Sequence, residues 1–274
     1  MTDGRSAGPV AGLQRWDEGN AYDRFMGRWS ELVAERFLEG LDAPSGWDWL
    51  DVGCGTGVLL EAIRRALSPR RLAGVDPSAG FLAVAAERLS TRVELTVADG
   101  EHLPFADHEF DAIVSGLALN FMPDRLAAVN SMRRVTRPGG LVAAYVWDYA
   151  DGMEFLRRFW DATTELDPQA LELDEGRRFP DCRPEQLRQL FEAAALSKIR
   201  VSAIEVPTTF SDFDDYWQPF LAGQGPAAGY VAALPSRQRR RLQDRLQRRL
   251  ATEPDGSIRL HARAWAVTGQ TALP

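Results

Sequence analysis

One eight-residue stretch, Leu50-Asp51-Val52-Gly53-Cys54-Gly55-Thr56-Gly57, constrains the fold of this chain more than any other. Trp47, Trp49, Leu50 and Val52 are bulky apolar residues suited to a buried strand, and the strand ends in an acid followed by glycines at alternate positions. Those glycines remove Cβ atoms where backbone must pass close to a ligand. An apolar helix expected over Val58 to Leu67 then points its positive end at the same place. Strand, glycine turn and helix form the opening unit of a doubly wound α/β sheet. They predict a pocket for a nucleoside-bearing cofactor at the strand's carboxyl end. The plainer alternative is a tight strand-to-helix turn that holds no ligand.

Spacing separates the cofactor classes. A dinucleotide fingerprint, G-x-G-x-x-G, requires glycine where Val58 stands, so a nicotinamide oxidoreductase is the disfavoured reading. Leu72 to Asp76 form a second apolar strand ending in an acid, 25 residues after Asp51, and Pro77-Ser78 can open a helix. A carboxylate at that point can accept the ribose hydroxyls of either cofactor class. Val93, Leu95 and Val97 alternate as a third strand, followed by Asp99-Gly100-Glu101-His102-Leu103-Pro104-Phe105. Phe110 to Ser115 is a fourth strand, a helix is expected from about Pro123 to Arg137 with Pro138-Gly139-Gly140 closing it, and Leu141 to Trp147 is a fifth strand.

The G-x-G-x-G loop with Asp51 before it resembles motif I of the class I S-adenosylmethionine-dependent methyltransferases. Asp76, and Asp99 with its Leu-Pro-Phe loop, match that family's order. Tyr22 to Ser30 is similar to the segment preceding the core in the ubiquinone/menaquinone-type small-molecule methyltransferases. The resemblance implies a Rossmann-like seven-stranded, mostly parallel sheet with the last strand antiparallel, helices on both faces and helical lid insertions. It also implies S-adenosylmethionine as methyl donor and S-adenosylhomocysteine as product. Carried over residue by residue, the binding set is Asp51, Gly53, Cys54, Gly55 and Gly57 in the loop, and Asp76 with Pro77 at the ribose. Asp99, Gly100 and Glu101 are expected at the adenine, and Ser115 and Leu117 beyond the fourth strand. Tyr22 and Met26 are expected over the cofactor and Arg28 near its carboxylate, although the same segment could simply pack Phe25, Met26 and Trp29 on the core.

Composition narrows the partners. A formal charge of −7 disfavours a nucleic-acid backbone as main partner and leaves a small-molecule acceptor. No apolar run reaches 18 residues, so no membrane span is expected, and Met1 to Arg15 lacks a hydrophobic signal core. Cys54 and Cys182 stand alone, without the spacing of a metal site or disulfide framework, which fits a reducing cytoplasm and no bound metal. The expected organisation is a tail at residues 1–19 and one methyltransferase domain at 20–274, working as monomer or homodimer. Within that domain, 20–150 form the cofactor half, 151–198 and 207–250 are lid or cap insertions, and 199–206 and 258–268 are the final strands.

The acceptor side is harder to read. Phe121, Trp147, Tyr149, Trp160 and Trp217 are expected to shape a flat or apolar substrate pocket, yet each could equally be core. Methyl transfer needs no obligatory base when the acceptor supplies an ionised nucleophile, so no catalytic residue is assigned. Asp148 and Asn120, at the ends of strands five and four, are the weak candidates; His102, His108 and His261 each have a simpler structural role. Ser211 is expected to cap a helix over Phe213 to Trp217, and Pro235 to Leu250 reads as an arginine-rich solvated helix. A protein that binds the cofactor without transferring its methyl group is the remaining alternative.

Overall fold

The computed structural model describes residues 28–89, 93–221 and 225–273. Its centre is one seven-stranded sheet in the order β3-β2-β1-β4-β5-β7-β6. The strands are β1 (Asp48–Val52), β2 (Arg71–Asp76), β3 (Glu94–Val97), β4 (Phe110–Gly116), β5 (Thr136–Trp147), β6 (Ser197–Phe210) and β7 (Ile258–Gln270). Neighbours from β3 through β5 pair in parallel, and β7 lies antiparallel between β5 and β6. This is the sheet the sequence predicts, with β7 as the single reversed strand.

Burial explains the continuous apolar runs. All five residues of β1 are buried, as expected for a parallel strand covered on both faces. Helices α1 (Arg28–Glu39), α2 (Val58–Leu67) and α3 (Ala79–Leu89) cover one face, and α4 (Arg125–Val135) and α7 (Pro184–Ala193) pack together on the other. The chain passes from β1 out to β3 and returns to place β4 on the other side of β1. The carboxyl ends of β1 and β4 therefore flank a crevice.

Charge anchors the opposite end of the sheet. Asp48 opens β1 with only 5% of its surface exposed, and the guanidinium groups of Arg70 and Arg137 reach its carboxylate at 2.5 and 3.1 Å. Those hydrogen bonds hold its pKa below the usual carboxylate range. The strands are thus pinned where no ligand crevice forms.

The second half builds a cap from α5 (Glu154–Leu166), a short α6 (Glu175–Arg178), α8 (Phe213–Leu221), α9 (Gly225–Ala233) and α10 (Ser236–Arg249). One aromatic cluster joins it to the core. Phe155 stacks on Phe220 at 4.6 Å and on Phe210 at 5.5 Å, Trp29 meets Phe155 at 5.4 Å, and Phe159 stacks on Phe220 at 4.3 Å. The Tyr216 hydroxyl donates to the Phe155 carbonyl at 3.0 Å. Burying each such ring contributes on the order of 2–3 kcal/mol, so this cap is held as core.

Three local expectations are corrected. Pro138-Gly139-Gly140 does not separate α4 from the fifth strand: α4 ends at Val135 and β5 starts at Thr136. A register shift between the Phe110–Thr136 and Ala112–Leu141 pairs takes up these residues, where proline has no N–H to give the ladder. The helix cap after β6 is Asp212, whose carboxylate accepts from the Asp215 N–H at 2.8 Å, while Ser211 donates its own N–H to the Asp215 carboxylate at 2.9 Å. Strand β6 also extends to Phe210, beyond the expected end at Val206, because its ladder with β7 continues to the Phe210–Ile258 pair.

Candidate cofactor and active site

A cavity of about 370 Å³ opens at the carboxyl ends of β1, β2 and β4. That is within the usual range for a small-molecule site. Its acidic lining is Asp51, Asp76, Asp99 and Glu101, one acid or more from the end of each of the first three strands. Gly53, Cys54, Gly55, Pro77, Gly100 and Leu117 line it too, as the sequence predicts.

The glycine loop shows why its residues are what they are. Gly53 sits at φ +74° and Gly55 at φ +52°, in the left-handed region that side chains disfavour. A Cβ on Gly53 would stand 2.5 Å from the Ala118 Cβ, in the turn after β4. Loop and turn are therefore in close contact across the crevice. Gly57 departs from its expected role: it lies outside the cavity lining, and its missing Cβ instead makes room for Ala85 and Leu89 of α3.

Asp76 is held as a preset acceptor. Its Oδ2 receives the Gly55 N–H at 2.9 Å and its Oδ1 receives the Ser78 N–H at 2.9 Å. Burial raises its pKa, and the two backbone donors oppose that rise. Asp51 is more extreme. Only 1% of its surface is exposed, its Oδ1 has no hydrogen-bond partner among the described residues, and burial followed by the nearby Asp76 charge pushes its pKa well above the usual carboxylate range. An orphaned buried carboxyl oxygen on a cavity wall fits a site completed by a donor on a bound molecule. Burial likewise raises the Cys54 thiol, which leaves it neutral and packed rather than reactive.

The cavity also carries apolar and aromatic side chains: Phe121, Met122 and Pro123 from the turn after β4, Leu59 of α2 and Tyr145 of β5. Met122 lies against the Gly100 backbone, its Sδ 2.9 Å from where a Cβ on Gly100 would stand. Of the expected substrate residues, Phe121 alone reaches the cavity. Trp147 is buried in β5; Tyr149 packs on Phe179 with ring centroids 5.1 Å apart. The Trp160 indole N–H donates to the buried Glu175 carboxylate, and Trp217 packs on Phe220 at 5.7 Å. All four are corrected to core roles. Ser115, expected near the cofactor, is fully buried within β4 and lies outside the lining.

The two weak catalytic candidates also move. Asp148 is 2% exposed and its Oδ2 accepts from Arg263 at 2.7 and 2.8 Å, while its Oδ1 accepts from the Asp151 N–H at 3.1 Å. It ties the end of β5 to β7 and lines neither the donor cavity nor the cavity beside Asn120. Asn120 lines a different cavity, on the α4 and α7 side of the sheet. Tyr22 and Met26 lie outside the described residues, as does the Arg28 side chain, although Arg28 opens α1 in backbone. Sequence reasoning missed Ser30, Phe81, Met122 and Tyr145 as lining residues. Tyr145 and Met122 carried a signal, since both lie at carboxyl ends of strands or just beyond.

Residues 50–144 match the family model described as a methyltransferase domain. A curated relative, a demethylmenaquinone methyltransferase of Staphylococcus aureus, is 29% identical over 180 residues, covering 61% of this chain and 75% of its own. The fold is similar to a putative methyltransferase of Bacillus halodurans at TM-score 0.55 and 14% identity, over 87% of this chain and 98% of that one. It is also similar to phosphoethanolamine N-methyltransferase 2 of Haemonchus contortus, solved with S-adenosylhomocysteine, at TM-score 0.56 and 18% identity over 93% of this chain and 57% of that one. Among the described residues no helix is long and apolar enough to cross a membrane. The glycine loop and the strand-end acids Asp51, Asp76 and Asp99 all fall within residues 50–144, the span that matches the methyltransferase domain.

Proposed function

We propose that this methyltransferase acts on a small aromatic or quinol-like acceptor whose own hydroxyl or carbon supplies the nucleophile, seated against Phe121, Met122 and Tyr145. The observation that carries this reading is one cavity lined both by the strand-end acids Asp51, Asp76 and Asp99 and by the apolar or aromatic side chains Phe121, Met122 and Tyr145. The name of the Staphylococcus aureus relative, a demethylmenaquinone methyltransferase, supports an acceptor of that class.

Asp76 is the residue for the ribose hydroxyls, because two backbone N–H groups already orient its carboxylate and leave acceptor capacity. Asp99 and Gly100 fit the adenine end. Asp51 offers its unpartnered oxygen to the cationic methionyl portion. S-adenosylmethionine, when bound, supplies an activated methyl group on a sulfonium, so in-line positioning and exclusion of water account for much of the rate.

The chain brings no imidazole to this cavity among its described residues: His102 and His108 are exposed, and His261 is 70% exposed beside Glu154. Any proton the acceptor must lose passes to solvent or to a carboxylate lining the cavity, with Asp99 and Glu101 among those present. The same reading treats residues 20–274 as one domain working in a reducing cytoplasm, where the free Cys54 and Cys182 stay thiols.

The test is transfer of a labelled methyl group from S-adenosylmethionine to a panel of phenols, hydroquinones, primary amines and carboxylates. Label on the phenols or hydroquinones, absent in Asp76→Ala, is the expected result. Label confined to amines or carboxylates would overturn the acceptor class. No label on any acceptor, with S-adenosylhomocysteine still bound, would favour a binding protein without transferase activity.

A further inference from the structure

A second cavity, of about 300 Å³, lies behind the Leu119–Phe121 turn, between that turn, α7 and β5. None of the residues lining the donor cavity lines it. Two of its side chains carry buried polar atoms with no hydrogen-bond partner among the described residues: both Nδ2 and Oδ1 of Asn120, and Oε1 of Gln186. Asn120 is 7% exposed, so its amide is withdrawn from bulk solvent. A buried amide left without partners destabilises the fold that holds it, and a native chain retains that cost where something satisfies the groups.

The remaining walls define what would fit. Leu119, Val146, Leu187 and Leu190 are apolar. The charged pair at the cavity is internally neutral, because Arg125 Nη2 donates to Asp181 Oδ2 at 2.5 Å. Cys182 is 2% exposed and burial pushes its thiol up to about 12, so it adds no charge. The cavity thus offers three carboxamides, those of Asn120, Gln186 and Gln189, the last with its Nε2 donating to Glu185 at 3.0 Å, together with an apolar surround and no net charge.

We propose that this cavity is a second ligand site, taking a small neutral molecule with an amide-like donor and acceptor edge on an apolar body. Asn120 supplies both halves of the complementary edge, and Gln186 supplies a further acceptor. Occupancy reaches the donor cavity through the chain, because Asn120 is bonded directly to Phe121, which lines that cavity. A bound molecule fixes the turn and changes the affinity for S-adenosylhomocysteine. Reciprocity requires the cofactor to change the affinity of the second ligand by the same factor.

The test uses the full chain saturated with S-adenosylhomocysteine, so that the donor cavity is filled. Benzamide is titrated by NMR and soaked into crystals, with benzoate and toluene as charged and edge-free controls. The expected result is benzamide seated against Asn120 and Gln186, with each control bound at least about tenfold more weakly, the worth of one or two hydrogen bonds. Gln186→Leu, on the partly exposed face of α7, weakens benzamide about tenfold with the melting temperature preserved; Asn120→Leu abolishes binding if it folds. Equal binding of all three probes, benzamide at another place, or ordered water alone in the cavity would overturn the proposal.

Discussion

Two glycines of the same loop have separable expected consequences when each gains one methyl group. Gly53→Ala and Gly55→Ala both place a Cβ at positive φ, at +74° and +52°, which costs on the order of 1–2 kcal/mol. At Gly53 the new atom also meets the Ala118 Cβ at 2.5 Å, roughly 1 Å inside normal carbon contact, and Ala118 has no flexible end to move aside. Relief requires the turn after β4 to shift, adding about 1–3 kcal/mol. At about 2 °C per kcal/mol for a chain of this size, Gly53→Ala should melt about 4–10 °C lower and Gly55→Ala about 2–4 °C lower. A Cβ on Gly55 would meet no heavy atom within 4 Å, and the residue lines the cavity, so its substitution acts chiefly on the ligand. Differential scanning fluorimetry with and without S-adenosylhomocysteine separates the two. Gly53→Ala loses stability in both conditions, whereas Gly55→Ala loses most of the ligand-induced rise. Unchanged melting in Gly53→Ala, or full ligand stabilisation in Gly55→Ala, would refute the geometry of the loop.

Three further outcomes follow from buried charge. Asp76→Asn keeps the side-chain shape but turns one acceptor toward a backbone N–H as a donor, so S-adenosylhomocysteine affinity by calorimetry should fall by at least about tenfold. Glu175 is buried, which raises its pKa from 4.5 to about 7, so the folded state binds the extra proton and stability is greatest below 4.5 and lost as pH rises toward 7. Glu175→Gln should therefore gain up to about 3 kcal/mol over the native chain by pH 8 and nothing at pH 4.5, and a melting difference independent of pH would refute this. Asp148→Asn removes the charge held by Arg263, and chemical denaturation should show about 3 kcal/mol lost while kcat, measured below the new transition, is unchanged. A hundredfold fall in kcat with stability intact would return Asp148 to the catalytic site.

The donor half was legible because one residue type carried two pieces of information. Asp51, Asp76 and Asp99 each mark where an apolar run stops and which end of the strand faces the crevice. Ser115 was misplaced by one position: strand period two puts Gly116, not Ser115, on the cavity wall. The acceptor half resisted reading for a different reason. Trp160 and Trp217 sit on amphipathic helices, and an apolar stripe looks the same whether it covers a substrate or other helices. Packing against Phe159 and Phe220 decides that question, and the Phe159–Phe220 stack that joins the two helices links residues some 60 positions apart that no local pattern encodes. Asp148 was ambiguous likewise, since its partner Arg263 is 115 residues away.

Calorimetric titration of the full chain with S-adenosylhomocysteine, with NADH in parallel, tests the cofactor assignment most directly. Saturable binding of S-adenosylhomocysteine, lost in Asp76→Ala, with no heat from NADH, is the predicted result. Binding of NADH alone, or S-adenosylhomocysteine binding indifferent to Asp76→Ala, would contradict it.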